Sequence, residues 1–187
     1  MGKQLPALTD ALVTFIEQQK LFFVATADDG RVNCSPKGMD ALRVLDHNRV
    51  VWLNATGSGN ETSAHIQHNS RMTLMFCAFE GAPLTLRLYG QARVIHQQDD
   101  DWSKLYDVFP PLAGARQIFD LSVDLVQTSC GMATPFFAYQ GEREDLTNWA
   151  KVKGDAGLAD YWAQKNTVSL DGIQTHIVEK NLSGNEG

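Results

Sequence analysis

The chain has 187 residues, 43% of them apolar and 20% charged, and 16 Lys plus Arg against 22 Asp plus Glu leave a net charge of −6. This is a globular rather than a disordered composition, long enough to bury a core within one domain spanning 1–187. Its acidity lacks the basic footprint of a non-specific nucleic-acid binder, so no nucleic-acid partner is expected.

Along the chain, Thr9 or Asp10 can cap a short helix whose apolar positions, Leu8, Leu12, Phe15 and Ile16, keep helical spacing. Residues 21–27 then form an apolar, aromatic-rich run, Asp28-Asp29-Gly30 signals a turn, and 31–35 return as a second strand that Pro36 and Gly38 break. Segments 43–45 and 49–54 flank another turn at 46–48. Residues 71–79 and 84–96 are long strand-like runs, and 118–129 alternates well enough to be a sixth strand. Helices are expected at 60–68, at 99–108 behind an Asp run, and in a final pair at 146–153 and 158–165, within a helical C-terminal segment from about 144. Hairpin-length connections point to a mainly β, six-stranded antiparallel barrel with flanking helices rather than a βαβ sheet. Gly90, inside the longest strand, is the expected bulge or sharp bend.

No apolar run approaches the roughly 20 residues of a membrane span, and the amino terminus lacks the apolar core of a secretion signal. Cys34, Cys77 and Cys130 are odd in number and widely spaced, which fits reduced thiols better than a disulfide framework. A cytoplasmic protein without a membrane partner is the expectation.

The densest polar cluster is Asn54-Ala55-Thr56-Gly57-Ser58-Gly59-Asn60-Glu61-Thr62, between a strand and a helix. A glycine-rich loop that feeds a helix amino terminus presents backbone N–H groups and the positive end of the helix dipole, which suits an anion. It is neither a Walker loop nor a dinucleotide fingerprint, and a plain loop with an Asn cap is the simpler alternative. A second cluster, Ser35-Pro36-Lys37-Gly38, places a lysine at a strand end, facing either solvent or an anion. Arg87 lies mid-strand on the face of Thr85 and Tyr89, in solvent, at an interface or toward a ligand. His65 and His68 lack further residues at ligand spacing, so no metal site is expected. No serine elbow or cysteine signature supports a nucleophilic hydrolase.

Taken in order, Asp29-Gly30, Ser35-Pro36-Lys37-Gly38, Gly57 to Thr62 with Ala64-His65, Asn69, Met75-Phe76 and Arg87-Leu88-Tyr89-Gly90 resemble the pyridoxamine 5′-phosphate oxidase-related proteins, FMN-binding split β-barrels. The likeness covers roughly residues 20–135, with Ser129-Cys130-Gly131 and Ser169-Leu170-Asp171-Gly172 beyond it. It implies a homodimer holding two FMN molecules in clefts between subunits. Under it, Ser35, Pro36 and Lys37 end the strand lining the flavin ring, with Lys37 near phosphate and ring. Asn54 and Thr56 meet the flavin's polar edge, and Arg87 is counted among the cofactor contacts. Asn60, Glu61 and Thr62 fall where the oxidases carry Ser-Arg-Lys on the phosphate. Glu61 therefore puts an acid in place of a cation and is expected to face away or to meet a neighbouring cation.

The oxidases also carry an Arg-x-His element near the carboxyl terminus, whereas His176 here comes after Gln174 and Thr175. The likeness thus implies the cofactor site without the vitamin-B6 substrate site. The expected activity is that of an FMN-dependent oxidoreductase acting on a small molecule, with a nicotinamide or another donor. The alternatives are a non-catalytic flavin binder for storage, sensing or regulation, and a relative of the same fold that takes deazaflavin or haem.

Overall fold

A computed structural model describes residues 2–182; Met1 and 183–187, part of the expected single domain, lie outside the described residues. In chain order the elements are β1 (Lys3–Leu5), α1 (Asp10–Gln18), β2 (Phe22–Thr26), β3 (Asn33–Lys37), β4 (Leu42–Asp46) and β5 (Arg49–Ala55). Next come α2 (Glu61–His68), β6 (Arg71–Cys77), β7 (Thr85–Ile95), α3 (Trp102–Tyr106), β8 (Ala115–Ser129), α4 (Asp145–Lys165) and α5 (Ile177–Asn181).

The described strands form one antiparallel sheet in the order β3-β2-β6-β7-β8-β5-β4, with β1 added beside β8. The strand number corrects the expected six to eight. The segments either side of 46–48 are separate strands paired as a hairpin, and Lys3–Leu5, too short to show a period, pairs with Val126 to Thr128. The hydrogen-bond path does not close, since β3 and β4 end it. The sheet nevertheless curls until its ends share a core. Phe22 of β2 sits edge-on to Trp52 of β5 at 6.1 Å, and Trp52 stacks on Phe119 of β8 at 4.5 Å. Apolar burial and aromatic packing draw the two ends together where no ladder does.

Thr9 caps α1, its Oγ1 accepting from the Leu12 N–H at 3.4 Å, and Leu12 and Ile16 drive the apolar face of the helix into that core. On the sheet's other face, Val51, Leu53 and Ile118 pack with Leu105 and Phe109. Strand β5 is therefore buried on both faces, as its apolar run Val50-Val51-Trp52-Leu53 requires. A third cluster joins Ala150, Leu158 and Trp162 of α4 to Ile177 of α5. The expected final helical pair is present, broken at Gly154, whose φ of 64° interrupts the helical backbone.

Gly90 marks a register shift between β7 and β8, as expected. An added Cβ there would lie 1.9 Å from the Ser122 carbonyl oxygen, so only glycine lets the two backbones approach this closely. Strand β3 does not stop at Pro36. It runs through to Lys37, because an edge strand has an outward side on which the missing N–H costs no ladder bond.

Candidate functional site

The split between the edge strand β3 and the end of β5 opens into a cavity of about 520 Å³, within the usual range of small-ligand sites. Its walls come from four directions. Strand β3 supplies Asn33, Ser35 and Lys37, the alternate residues of one face. The end of β5 and the loop into α2 supply Asn54 and Gly57 through Thr62; β8 supplies Arg116; the end of α4 and the hairpin after it supply Lys165, Val168, Ser169 and Leu170.

Six of the nine residues expected from the sequence meet here: Ser35, Lys37, Asn54, Asn60, Glu61 and Thr62. Three do not. Pro36 points from the opposite face of β3 and is exposed. Thr56 is buried behind the cavity wall, its hydroxyl donating to the Gly114 carbonyl at 2.8 Å and accepting from the Trp162 indole N–H at 2.9 Å. Arg87 lies across β7 and β8, its guanidinium donating to Ser129 Oγ at 3.3 Å. Residues 129–131 form no part of the cavity lining either.

The charged lining is cationic, with Lys37, Arg116 and Lys165 against Glu61. Arg116, absent from the sequence reading, is 3% exposed and makes no salt bridge among the described residues. One terminal nitrogen donates to the Gly59 carbonyl at 3.1 Å and to Asn166 Oδ1 at 2.7 Å, while Nε has no partner. Burial pulls its pKa well below the usual guanidinium range. Burial, with the positive charge of Arg116, brings the Lys37 ammonium down to about 8. The Lys37 amine stands over the Trp52 ring, 5.5 Å from its centroid. Ser35 Oγ and Asn60 Oδ1 are also buried without partners, so three cavity residues hold unmet hydrogen-bonding capacity.

Helix α2 begins at Glu61, and the side chain of its capping residue, Asn60, makes no cap bond. It donates instead to the Asn166 carbonyl at 3.3 Å, leaving the first-turn N–H groups without a side-chain acceptor. Glu61 turns to the strap formed by the last hairpin, its carboxylate accepting from the Leu170 N–H at 3.1 and 3.2 Å. Beside it, Asp171 accepts from the Arg31 N–H at 2.7 Å and pairs with the Arg31 guanidinium. Gly30 makes room for this contact, since a Cβ there would fall 2.3 Å from Asp171 Oδ2.

Sequence reasoning missed Arg116 because the strand reading began at 118, three residues late, and nothing local marks a guanidinium as buried. That burial comes from Asn166 and α4, some fifty residues downstream. His65 and His68 each have a polar side-chain partner. They bond Thr26 at 3.1 Å and Asp28 at 3.0 Å, and no group of three or more potential metal ligands occurs among the described residues. No described helix is long and apolar enough to cross a membrane.

The family profile described as pyridoxamine 5′-phosphate oxidase matches residues 8–130. The pyridoxamine 5′-phosphate oxidase family protein ustO of Aspergillus flavus is 34% identical over 187 aligned positions, covering 89% of this chain and 75% of that protein. Among solved structures, a candidate pyridoxamine 5′-phosphate oxidase from Lactobacillus delbrueckii aligns with a TM-score of 0.52 and 22% identity, over 65% of this chain and 94% of that one. The FAD-binding protein of Mycobacterium smegmatis aligns with a TM-score of 0.50 and 12% identity, over 66% and 96%. These two share the fold. The profile match and the Aspergillus relative establish more, and the chain belongs to the pyridoxamine 5′-phosphate oxidase family.

Proposed function

We propose that this protein binds FMN with its phosphate in the Arg116–Lys37 cavity and acts as an FMN-dependent oxidoreductase on a small molecule. One observation carries the reading: a buried guanidinium with no carboxylate partner faces a cavity shared with a second cation and an uncapped helix terminus. A buried cation without a partner is strongly unfavourable, and a phosphate supplies both the charge and the acceptors that it lacks. Arg116, Lys37, Asn60, Thr62 and the first-turn N–H groups of α2 hold the phosphate. Ser35 and Asn54 lie along the same cavity, toward the ring's polar edge. Bound there, FMN supplies two-electron hydride chemistry. The chain's own residues bind, orient and shield it.

Vitamin-B6 phosphates are not the proposed substrates. The last arginine is Arg143, and Gln174 stands where an Arg-x-His pair would place its arginine. Lysines attract a phosphate as point charges without reproducing a bidentate clamp. A homodimer is part of the same proposal. Met132, Phe136, Phe137 and Tyr139 expose a run of apolar side chains on one extended segment, which a second copy would cover. Arg87 lies at the root of that segment and would meet a flavin only across such a subunit boundary.

The test begins with purified protein, its bound ligand identified by absorbance and mass spectrometry, and then titrates it with FMN, FAD and riboflavin. FMN retained at micromolar affinity supports the reading, and no flavin affinity refutes it. Anaerobic addition of NADH or NADPH then decides between an enzyme, whose flavin bleaches within seconds, and a passive binder, whose flavin stays oxidised with every donor tried.

A further inference from the structure

We infer that Asn166 is a positioning residue that holds Arg116 in place, with its charge uncancelled, for a phosphate, and so sets the preference for phosphorylated over phosphate-free flavin. The inference rests on the flavin-phosphate reading above.

Asn166 lies just past the last turn of α4 and is fully buried. Every polar group it has is used. Its N–H donates to the Trp162 carbonyl at 2.9 Å and ends the helix. Its carbonyl accepts from Thr175 Oγ1 at 2.5 Å and from the Asn60 amide at 3.3 Å. Its side-chain Oδ1 accepts from Arg116 at 2.7 Å, while Nδ2 donates to the Gly57 carbonyl at 3.0 Å and reaches that of Ser58 at 3.5 Å. One side chain therefore fixes both the cavity's buried cation and the loop that precedes α2.

The chemistry of an amide matters here in two ways. Across a trans peptide the C=O and the next N–H point in opposite directions, so drawing the Gly57 and Ser58 carbonyls toward Asn166 turns the Ser58 and Gly59 N–H groups away from it. Gly57, Ser58 and Gly59 all line the cavity. The second effect is electrostatic. Amide oxygen orients a guanidinium by a hydrogen bond without neutralising it, so the positive charge stays available. A carboxylate at this position would pair with Arg116, compete with the phosphate, and repel the two loop carbonyls that the amide now binds. The amide donates to the loop through Nδ2 while it accepts from the arginine through Oδ1.

The test compares wild type with Asn166→Asp in the full chain. FMN and riboflavin are titrated by flavin fluorescence, and inorganic phosphate is titrated by its shift of the melting temperature. Charge-assisted bonds are worth about 1.5–3 kcal/mol. The expected result is therefore an FMN affinity lower by roughly tenfold to a hundredfold, riboflavin affinity within about twofold of wild type, and loss of stabilisation by phosphate. A merely structural role would weaken both flavins together, and an unchanged FMN-to-riboflavin ratio overturns the inference. If Asn166→Asp does not fold, Asn166→Ala must still lower that ratio by about threefold or more, and failure to do so overturns it as well. Wild type that takes phosphate but no flavin refutes the flavin reading alone, leaving Asn166 to be judged on phosphate. Wild type that takes neither refutes both.

Discussion

Lys37 offers a prediction in which pH and mutation check each other. Burial and the charge of Arg116 bring its pKa to about 8, so about ten in eleven of these side chains are charged at pH 7 and about one in eleven at pH 9. A phosphate monoester has its second pKa near 6, so it is about nine-tenths doubly ionised at pH 7 and only gains negative charge above it. Any loss of FMN affinity between pH 7 and 9 therefore comes from the protein. Binding a dianion raises the lysine's pKa in the complex, so FMN binding takes up a proton above pH 8, and affinity falls by up to about tenfold per pH unit there. Replacing the charged contact altogether, as in Lys37→Met, costs about 1.5–3 kcal/mol at pH 7, roughly tenfold to a hundredfold in affinity. The variant should also lose the slope between pH 7 and 9. For apo protein the sign reverses. A lysine whose folded pKa is depressed favours the unfolded chain while that chain alone stays protonated, so unliganded protein gains stability as pH rises from about 8 toward 10.5. Fluorescence titration across the pH range, and calorimetry in buffers of different ionisation enthalpy, read both effects. An affinity that is flat from pH 7 to 9 in wild type, or a Lys37→Met protein with the wild-type slope, would remove Lys37 from the phosphate site.

Glu61→Gln keeps an acceptor for the Leu170 N–H and removes a negative charge from the cavity, so FMN affinity should rise by a factor of about two to ten; stopped-flow dissociation that is unchanged or faster counts against it. Gly90→Ala would drive a Cβ into the Ser122 backbone and should cost about 3 kcal/mol or more, roughly 6–12 °C in melting temperature, so a melt within about 2 °C of wild type would show that β7 and β8 can separate cheaply. Asp120 accepts from Arg49 at 2.8 and 2.9 Å and from Arg93 at 2.9 and 3.1 Å. Burial pushes its carboxyl up, but these bonds outweigh burial and hold it below the usual range. Its stabilisation is present above about pH 4 and lost as pH falls below that. Asp120→Asn should cost about 1–3 kcal/mol at pH 7, discounted because both arginines are partly solvated. It should also flatten the acid limb of a pH–denaturation series, and a limb of unchanged steepness would assign acid sensitivity to other carboxylates.

Much of the antiparallel sheet was legible because its signals are local. Periodicity marked β2 and β5 through β8, Gly90 marked the bulge, and Thr9 marked the cap of α1. Lys3–Leu5 escaped because three residues carry no measurable period, and Pro36 misled because its cost depends on whether the strand is central or at an edge. The strand and loop residues of the site were readable as motifs. Arg116 and Asn166 were not, since their significance lies in a bond between residues fifty positions apart. Thr56 shows the reverse case: its motif is in place, but Trp162 and Gly114 occupy its hydroxyl.

The strap pinned by Glu61 and Asp171 bears on the order in which the molecule assembles. The Leu170–Glu61 and Asp171–Arg31 bonds close loops of 109 and 140 residues, whereas the β2–β3, β4–β5 and β6–β7 hairpins join neighbouring segments. Loop-closure entropy favours short closures first, and long-range pairing is slow. The core of the sheet is expected to form while the cavity still lacks its fourth wall. On the proposed function, flavin uptake would then be a late event on a nearly finished molecule, with tryptophan fluorescence recovering before flavin quenching in a refolding experiment. A chain that collapses readily but loses the strap would look folded by every global probe and still retain no phosphate.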